Sequence, residues 1–156
     1  MRSRSRHSRS RTKDSNSISK MKGGPARAPG EGDPDVILDV IFEDGLFFLA
    51  IQNISSRPAL DVVVTFRKPL MGLGGGKEIS ASPLFHGIPS LAPQKEIRTL
   101  LDSVEAFFAR RQSALVEAQI TFRDRARGSF ATAIRHDLRI YKELAYVRRP
   151  EAPGVC

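Results

Sequence analysis

The chain of 156 residues has no tryptophan, two tyrosines and one cysteine, Cys156. A single thiol excludes an intrachain disulfide, and with it a disulfide-stapled scaffold. A reducing compartment, and so a cytoplasmic location, is the expectation. Long apolar runs are also missing. The longest candidate, Leu46 to Ile51, is about a strand in length, against the roughly 20 residues of a membrane helix, so no membrane insertion is expected. The basic N-terminus lacks a following apolar segment, which argues against a secretory signal.

Clustered catalytic groups are equally scarce. His7, His86 and His136 have no second ligand at i+2, i+3 or i+4, and the nearest candidate is the adjacent Asp137. A zinc or iron site needs three or four convergent ligands. No Gly-x-Ser-x-Gly elbow occurs, and no base is fixed beside Cys156. The run Gly72-Leu73-Gly74-Gly75-Gly76-Lys77 has Met71 where a Walker loop needs its first glycine and Glu78 where it needs Ser or Thr. It reads as a flexible loop. The carboxylates Glu43/Asp44 and Asp102/Glu105 fall where turns and helix caps use them. Neither an enzyme nor a cofactor is expected.

The net charge of +8 is unevenly spread. Residues 1–20 carry seven Lys/Arg against Asp14, whereas the remaining residues hold 18 basic and 16 acidic side chains. Residues 1–34 are Arg/Ser-rich and then Gly/Pro-rich, too poor in apolar surface to offset ordering entropy, and read as a disordered basic leader. A second reading makes residues 2–20 a nucleic-acid-binding arm that neutralises phosphates. Residues 148–156 read as a disordered tail.

Between these ends the pattern has period two. Asp35 to Phe42 aligns Val36, Leu38, Val40 and Phe42, and Glu43-Asp44-Gly45 follows as a turn. The most informative stretch, Leu46 to Phe66, reads as two core strands joined by a polar, proline-bearing turn that sets their register. Residues 68–95 form a long loop with a short edge strand expected near Glu78 to Ser80. Glu96 to Asp102 is a strand and Ser103 to Gln112 a helix, with Asp102 and Glu105 spaced as a capping box. Leu115 to Arg123 turns Val116, Ala118, Ile120 and Phe122 inward. After a turn at 124–128, Ser129 to Ile140 is the last strand, bending near His136. Residues 141–147 are expected to extend it or to pack back. Six or seven strands without helix–strand alternation point to an all-β antiparallel sandwich of immunoglobulin type over residues 35–147.

Asn53, Pro58, Ala59, Val62, Val64 and Phe66, followed by Leu91-Ala92-Pro93 before a strand, resemble bacterial immunoglobulin-like domains of the CARDB (cell-adhesion-related) type. The resemblance implies a β-sandwich acting as a binding or spacer module, and supplies no catalytic residue. Ser55 and Gln94 stand where those domains usually carry glycine, so both turns must be built differently here.

Two segments stand out as interaction surface. Phe107 and Phe108 are adjacent on a helix and point about 100° apart, so one is expected to plug the sandwich and the other to lie partly exposed beside Arg110 and Arg111. Aromatic and arginine side chains together are enriched at interfaces. The loop from Pro69 to Pro93 holds Leu84, Phe85 and His86 among many apolar residues. It either folds over a sheet edge or offers a partner surface. The expectation is a non-enzymatic protein-interaction module with an unidentified protein partner.

Overall fold

The structure, a computed structural model, describes residues 25–144. The basic arm at 2–20 and the tail at 148–156 lie outside those residues. Among the described residues, nine strands and two short helices follow in chain order: β1 (Val36–Glu43), β2 (Leu46–Asn53), β3 (Ala59–Phe66), β4 (Met71–Gly72), β5 (Lys77–Glu78), α1 (Pro83–His86), β6 (Ile88–Leu91), β7 (Glu96–Ser103), α2 (Val104–Ala109), β8 (Leu115–Arg123) and β9 (Ser129–Asp137). One antiparallel sheet has the order β1-β2-β7 and the other β6-β3-β8-β9, while β4 and β5 form a separate two-stranded ladder. The alternating inward faces build one core between the two main sheets. Leu38, Phe47, Leu49, Ile51 and Leu101 come from one sheet, and Val62, Val64, Ile120, Phe122 and Phe130 from the other. The fold is an all-β antiparallel sandwich.

The β1–β2 hairpin closes as its sequence dictates. Glu43 pairs with Leu46, and the two turn residues, Asp44 and Gly45, both have positive φ, as a two-residue turn matching strand twist requires. The stretch from Leu46 to Phe66 corrects the simpler reading. Its strands do not pair: β2 lies between β1 and β7, whereas β3 lies between β6 and β8. Residues 54–58 therefore carry the chain from one sheet to the other, and side chains must hold that crossing.

Asn53 does so. It is fully buried, and its amide nitrogen donates to Arg57 O at 2.6 Å and to Leu91 O at 3.0 Å. Its Oδ1 accepts the Ser55 N–H at 3.0 Å and lies 2.7 Å from the Ser55 hydroxyl. One side chain thus ties β2, the crossing and the end of β6. Gln94 supports the same junction. It takes a positive φ in a turn closed by Lys95 N–H to Ala92 O, the place that favours glycine. Its side chain offsets that strain by donating to Ile54 O and Ser55 O at 3.1 and 3.0 Å.

Several boundaries move. The expected edge strand at Glu78–Ser80 is reduced to the two residues of β5, with a 3₁₀ turn at Ile79–Ala81; the strand that covers β3 is β6. The long loop does fold over a sheet edge, burying Leu70, Ile79, Phe85, Ile88 and Leu91. The last strand ends at Asp137 and turns into a 3₁₀ turn, Leu138–Tyr141. Leu144 is exposed rather than packed, and residues 145–147 lie outside the described range. At the other terminus Arg27 of the leader forms a parallel bridge to Phe130. Its guanidinium lies 4.7 Å from that ring and pairs with Asp33 at 2.7 Å.

Replacing Asn53 by Ala leaves Leu91 O and Arg57 O without its donor. The Asn53→Ala protein is expected to lose about 2–4 kcal/mol of stability. Urea unfolding checks this through a lowered midpoint at unchanged slope.

Candidate functional site

The chain runs back and forth between two ends. At one lie the 54–58 crossing, the 92–95 turn and the 124–128 turn. At the other lie the 43–45 turn, the 67–82 segment, α2 and residues 110–114. The residues singled out from sequence all fall at or next to this second end, and a bulge in β7 organises it.

Phe47 pairs with Asp102 but Phe48 pairs with Leu100, so Leu101 is an extra residue in β7. Without the insertion, strict alternation would give Asp102 the solvent side it shares with Leu100. The bulge instead brings Asp102 onto the inward side, opposite Phe47, where only 3% of it is exposed. Asp102 Oδ1 accepts N–H groups from Ser103 at 2.8 Å and Gly74 at 3.1 Å, and Oδ2 pairs with Arg110 Nη1. Arg110 also donates through Nη1 to Ala106 O and through Nη2 to Met71 O, both at 3.1 Å. Gln112 completes the joint by exchanging two hydrogen bonds with the Met71 backbone. Helix α2, the glycine loop and β7 are thereby locked together.

This arrangement answers the glycine run. The loop does present an N–H to an anion, and the anion is the carboxylate of Asp102. Gly72 lies on the bulge so closely that a Cβ there would stand 2.1 Å from Leu101 O, a distance no side chain tolerates. The helix cap also differs from the expected box. Ser103 caps α2 by accepting the Ala106 N–H at 3.1 Å, and Asp102 is committed to Arg110.

The two phenylalanines divide as their 100° separation requires. Phe107 is buried and meets Phe47 edge-on at 5.6 Å. Phe108 is half-buried, 5.9 Å from Phe47, with Lys142 Nζ 6.0 Å from its ring centroid. Arg110 lies over Phe107 rather than beside Phe108. As interaction surface, Phe107 and Arg110 are corrected: one is core and the other is consumed by the joint. Phe108 remains partly accessible and Arg111 exposed.

The 84–86 segment sorts the same way. Phe85 is fully buried and meets Phe66 edge-on at 4.9 Å, because helix α1 turns it onto β3; it too is core. Leu84 is half-buried and His86 exposed. Beside them runs a groove of about 370 Å³ lined by Val63 to Phe66, Lys68, Pro69, Glu78, Ser80, Phe85 and His86. Ser80 holds one wall, 3.0 Å from Glu78 Oε1 and accepting the Leu70 N–H at 2.9 Å. The sequence marks one side of this groove through Phe85 and His86, but not the side formed by β3, Val63 to Phe66.

Electrostatics here are local. Arg139 chelates Asp137 and holds its carboxyl down at about 2, with a further contribution from the Arg139 N–H. His136 Nε2 is 2.7 Å from Leu38 O, so this histidine is a half-buried strand residue bracing β1. Among the described residues no group of three His, Cys, Asp or Glu side chains could hold a metal ion. No helix among them is long and apolar enough to cross a membrane.

Removing one partner of a mostly buried ion pair strands the other charge. Asp102→Ala is expected to cost about 3 kcal/mol, and Gly72→Ala should also be destabilising because backbone must move. Chemical denaturation of both variants reads these losses, with near-native stability in either overturning the assignment.

No curated protein and no solved structure matches the chain. Residues 21–142 match the family described as a domain of unknown function, DUF8453. That span covers most of the 156 residues and includes both main sheets, α2 and the groove, and the chain belongs to this family.

Proposed function

We propose that this protein is a non-enzymatic protein-interaction module built on an immunoglobulin-like sandwich. The observation that carries the reading is the groove beside β3, lined by half-buried Phe66, which the buried Phe85 backs, and by Lys68, Glu78 and His86. Apolar floors with a polar rim are how binding surfaces combine affinity with orientation. The Asp102–Arg110 joint keeps the neighbouring loop in place, so the surface is preorganised rather than assembled on contact. Phe108 and Arg111, exposed to different degrees at the same end, extend the area a partner can meet.

A photo-cross-linking residue in place of His86 or Arg111, introduced into the full chain in its native cell, tests this reading. A discrete heavier adduct is expected from both positions. The same substitution at Arg125, in the β8–β9 turn at the opposite end, is expected to give none. Absence of adducts at 86 and 111, or equal adducts at all three positions, overturns it.

A second reading, the binding of nucleic acid by residues 2–20, draws support from where the described chain begins. Arg27 sits beside Ser129, at the end that also displays exposed Arg57, Arg125 and Arg127. Exchanging Arg2, Arg4, Arg6, Arg9 and Arg11 for Gln is expected on this reading to flatten the salt dependence of RNA or DNA filter binding. The log–log slope should fall by about 0.7–0.9 for every phosphate that is no longer neutralised. An unchanged slope removes the reading.

A further inference from the structure

Strand β3 pairs with β8 at Leu60 and, after a register irregularity, from Val63 to Phe66, but with β6 only over its first part. The β6 ladder reaches Ala59, Leu60 and Val62 and stops where Ile88 gives way to Gly87 and α1. Beyond that point the direction of the backbone follows from the other ladder. Arg67 N–H donates to Glu117 O, and Thr65 and Val63 lie opposite Gln119 and Thr121 in the same register. Odd-numbered residues therefore hydrogen-bond toward β8, and the N–H and C=O groups of Val64 and Phe66 point the other way. Among the described residues neither finds a backbone partner there. The groove opens along this same edge: it is lined by four consecutive residues of β3, Val63 to Phe66, from both faces of the strand.

We propose that this open half of β3 receives an extended peptide segment of a partner protein by strand addition, end to end with β6. The inference rests on the interaction-module reading and names the partner's form. Two residues at strand spacing, Val64 and Phe66, offer two donors and two acceptors, which three consecutive residues of an extended peptide satisfy. Alternate peptide side chains would face opposite ways: one set onto Phe66 and Pro69, the other toward Thr65, Lys68 and His86. An apolar residue flanked by a polar one is the matching pattern, since the lining carries both Lys68 and Glu78. The groove wall formed by α1 and Pro69 limits the addition to a single strand.

Linear peptides selected from a random phage library against the full chain, followed by hydrogen exchange of the isotope-labelled full chain with and without the selected peptide, test this. The amides of Val64 and Phe66 are expected to exchange fast in the free chain and to slow at least about tenfold with bound peptide. Val64→Pro deletes a donor facing the groove while sparing the β8 ladder, and should weaken peptide binding at least tenfold. Exchange on the unaltered chain keeps the test open if that variant does not fold. Bound peptide that protects other amides and not these overturns strand addition while leaving the interaction module standing. The same holds if no peptide is enriched yet cross-links form at His86. Loss of both peptide binding and cross-links overturns both. Concentration-dependent protection of Val64 and Phe66 without peptide would make a second copy the occupant and overturn the proposal.

Discussion

The ion pair between Asp102 and Arg110 is the constraint on which one whole end of the sandwich depends. It exists because a single inserted residue, Leu101, shifts the register of β7 against β2. The shift buries a carboxylate where alternation would have exposed it. A buried carboxylate alone is costly, so three donors converge on it: the Ser103 and Gly74 N–H groups and the Arg110 guanidinium. Meeting that demand draws the glycine loop inward and stops α2 after six residues. The satisfaction is not complete, since Arg110 Nε is buried without a partner. Pairs of this kind stabilise less than they specify, and what this one specifies is the position of residues 70–76 relative to α2.

Asn53 plays the corresponding part at the opposite end with neutral hydrogen bonds. There the problem is topological: adjacent strands in sequence belong to different sheets, and no ladder connects them. Asn53, on β2, uses its donors and acceptor on two further segments, the crossing and the end of β6, and Gln94 adds two bonds from the neighbouring turn. Ser55 and Gln94, the departures from glycine, are therefore the side chains that hold the junction together. Each replaces backbone freedom by a side-chain bond.

The strands and their faces were legible in the sequence because period-two alternation survives wherever one face is buried. Val36 to Phe42, Ala59 to Phe66 and Leu115 to Arg123 all place their side chains as the pattern dictates. What alternation cannot express is register. The β7 bulge, the sheet change after Asn53 and the four-residue β6 are decided by pairing between distant segments, so the Asp102 cap, the Leu46–Phe66 pairing and the Glu78–Ser80 strand were misplaced together. The candidate surface shared this fate. Phe85, Phe107 and Arg110 have the composition of an interface, but composition does not distinguish a side chain that meets a partner from one that meets its own core. His86, Phe108 and Arg111 are adjacent in sequence to those three and keep their accessibility.

How the fold treats its strand edges bears on which surface is available for binding. An uncovered edge invites pairing with other chains, and folded proteins cover or interrupt it. Here the outer carbonyls of β1 at Leu38 and Val40 meet His136 and Tyr141. The start of β9 is bridged by Arg27, and β7 at Leu101 is overlaid by Gly72. Against that background the far half of β3 is handled differently, since α1 lies alongside it without hydrogen-bonding to it. A helix that only packs beside an edge leaves the backbone groups unsatisfied except by water, yet walls them off from a second sheet. On the strand-addition proposal, such an arrangement leaves access for one narrow strand. The Phe66–Phe85 contact holds α1 against this edge.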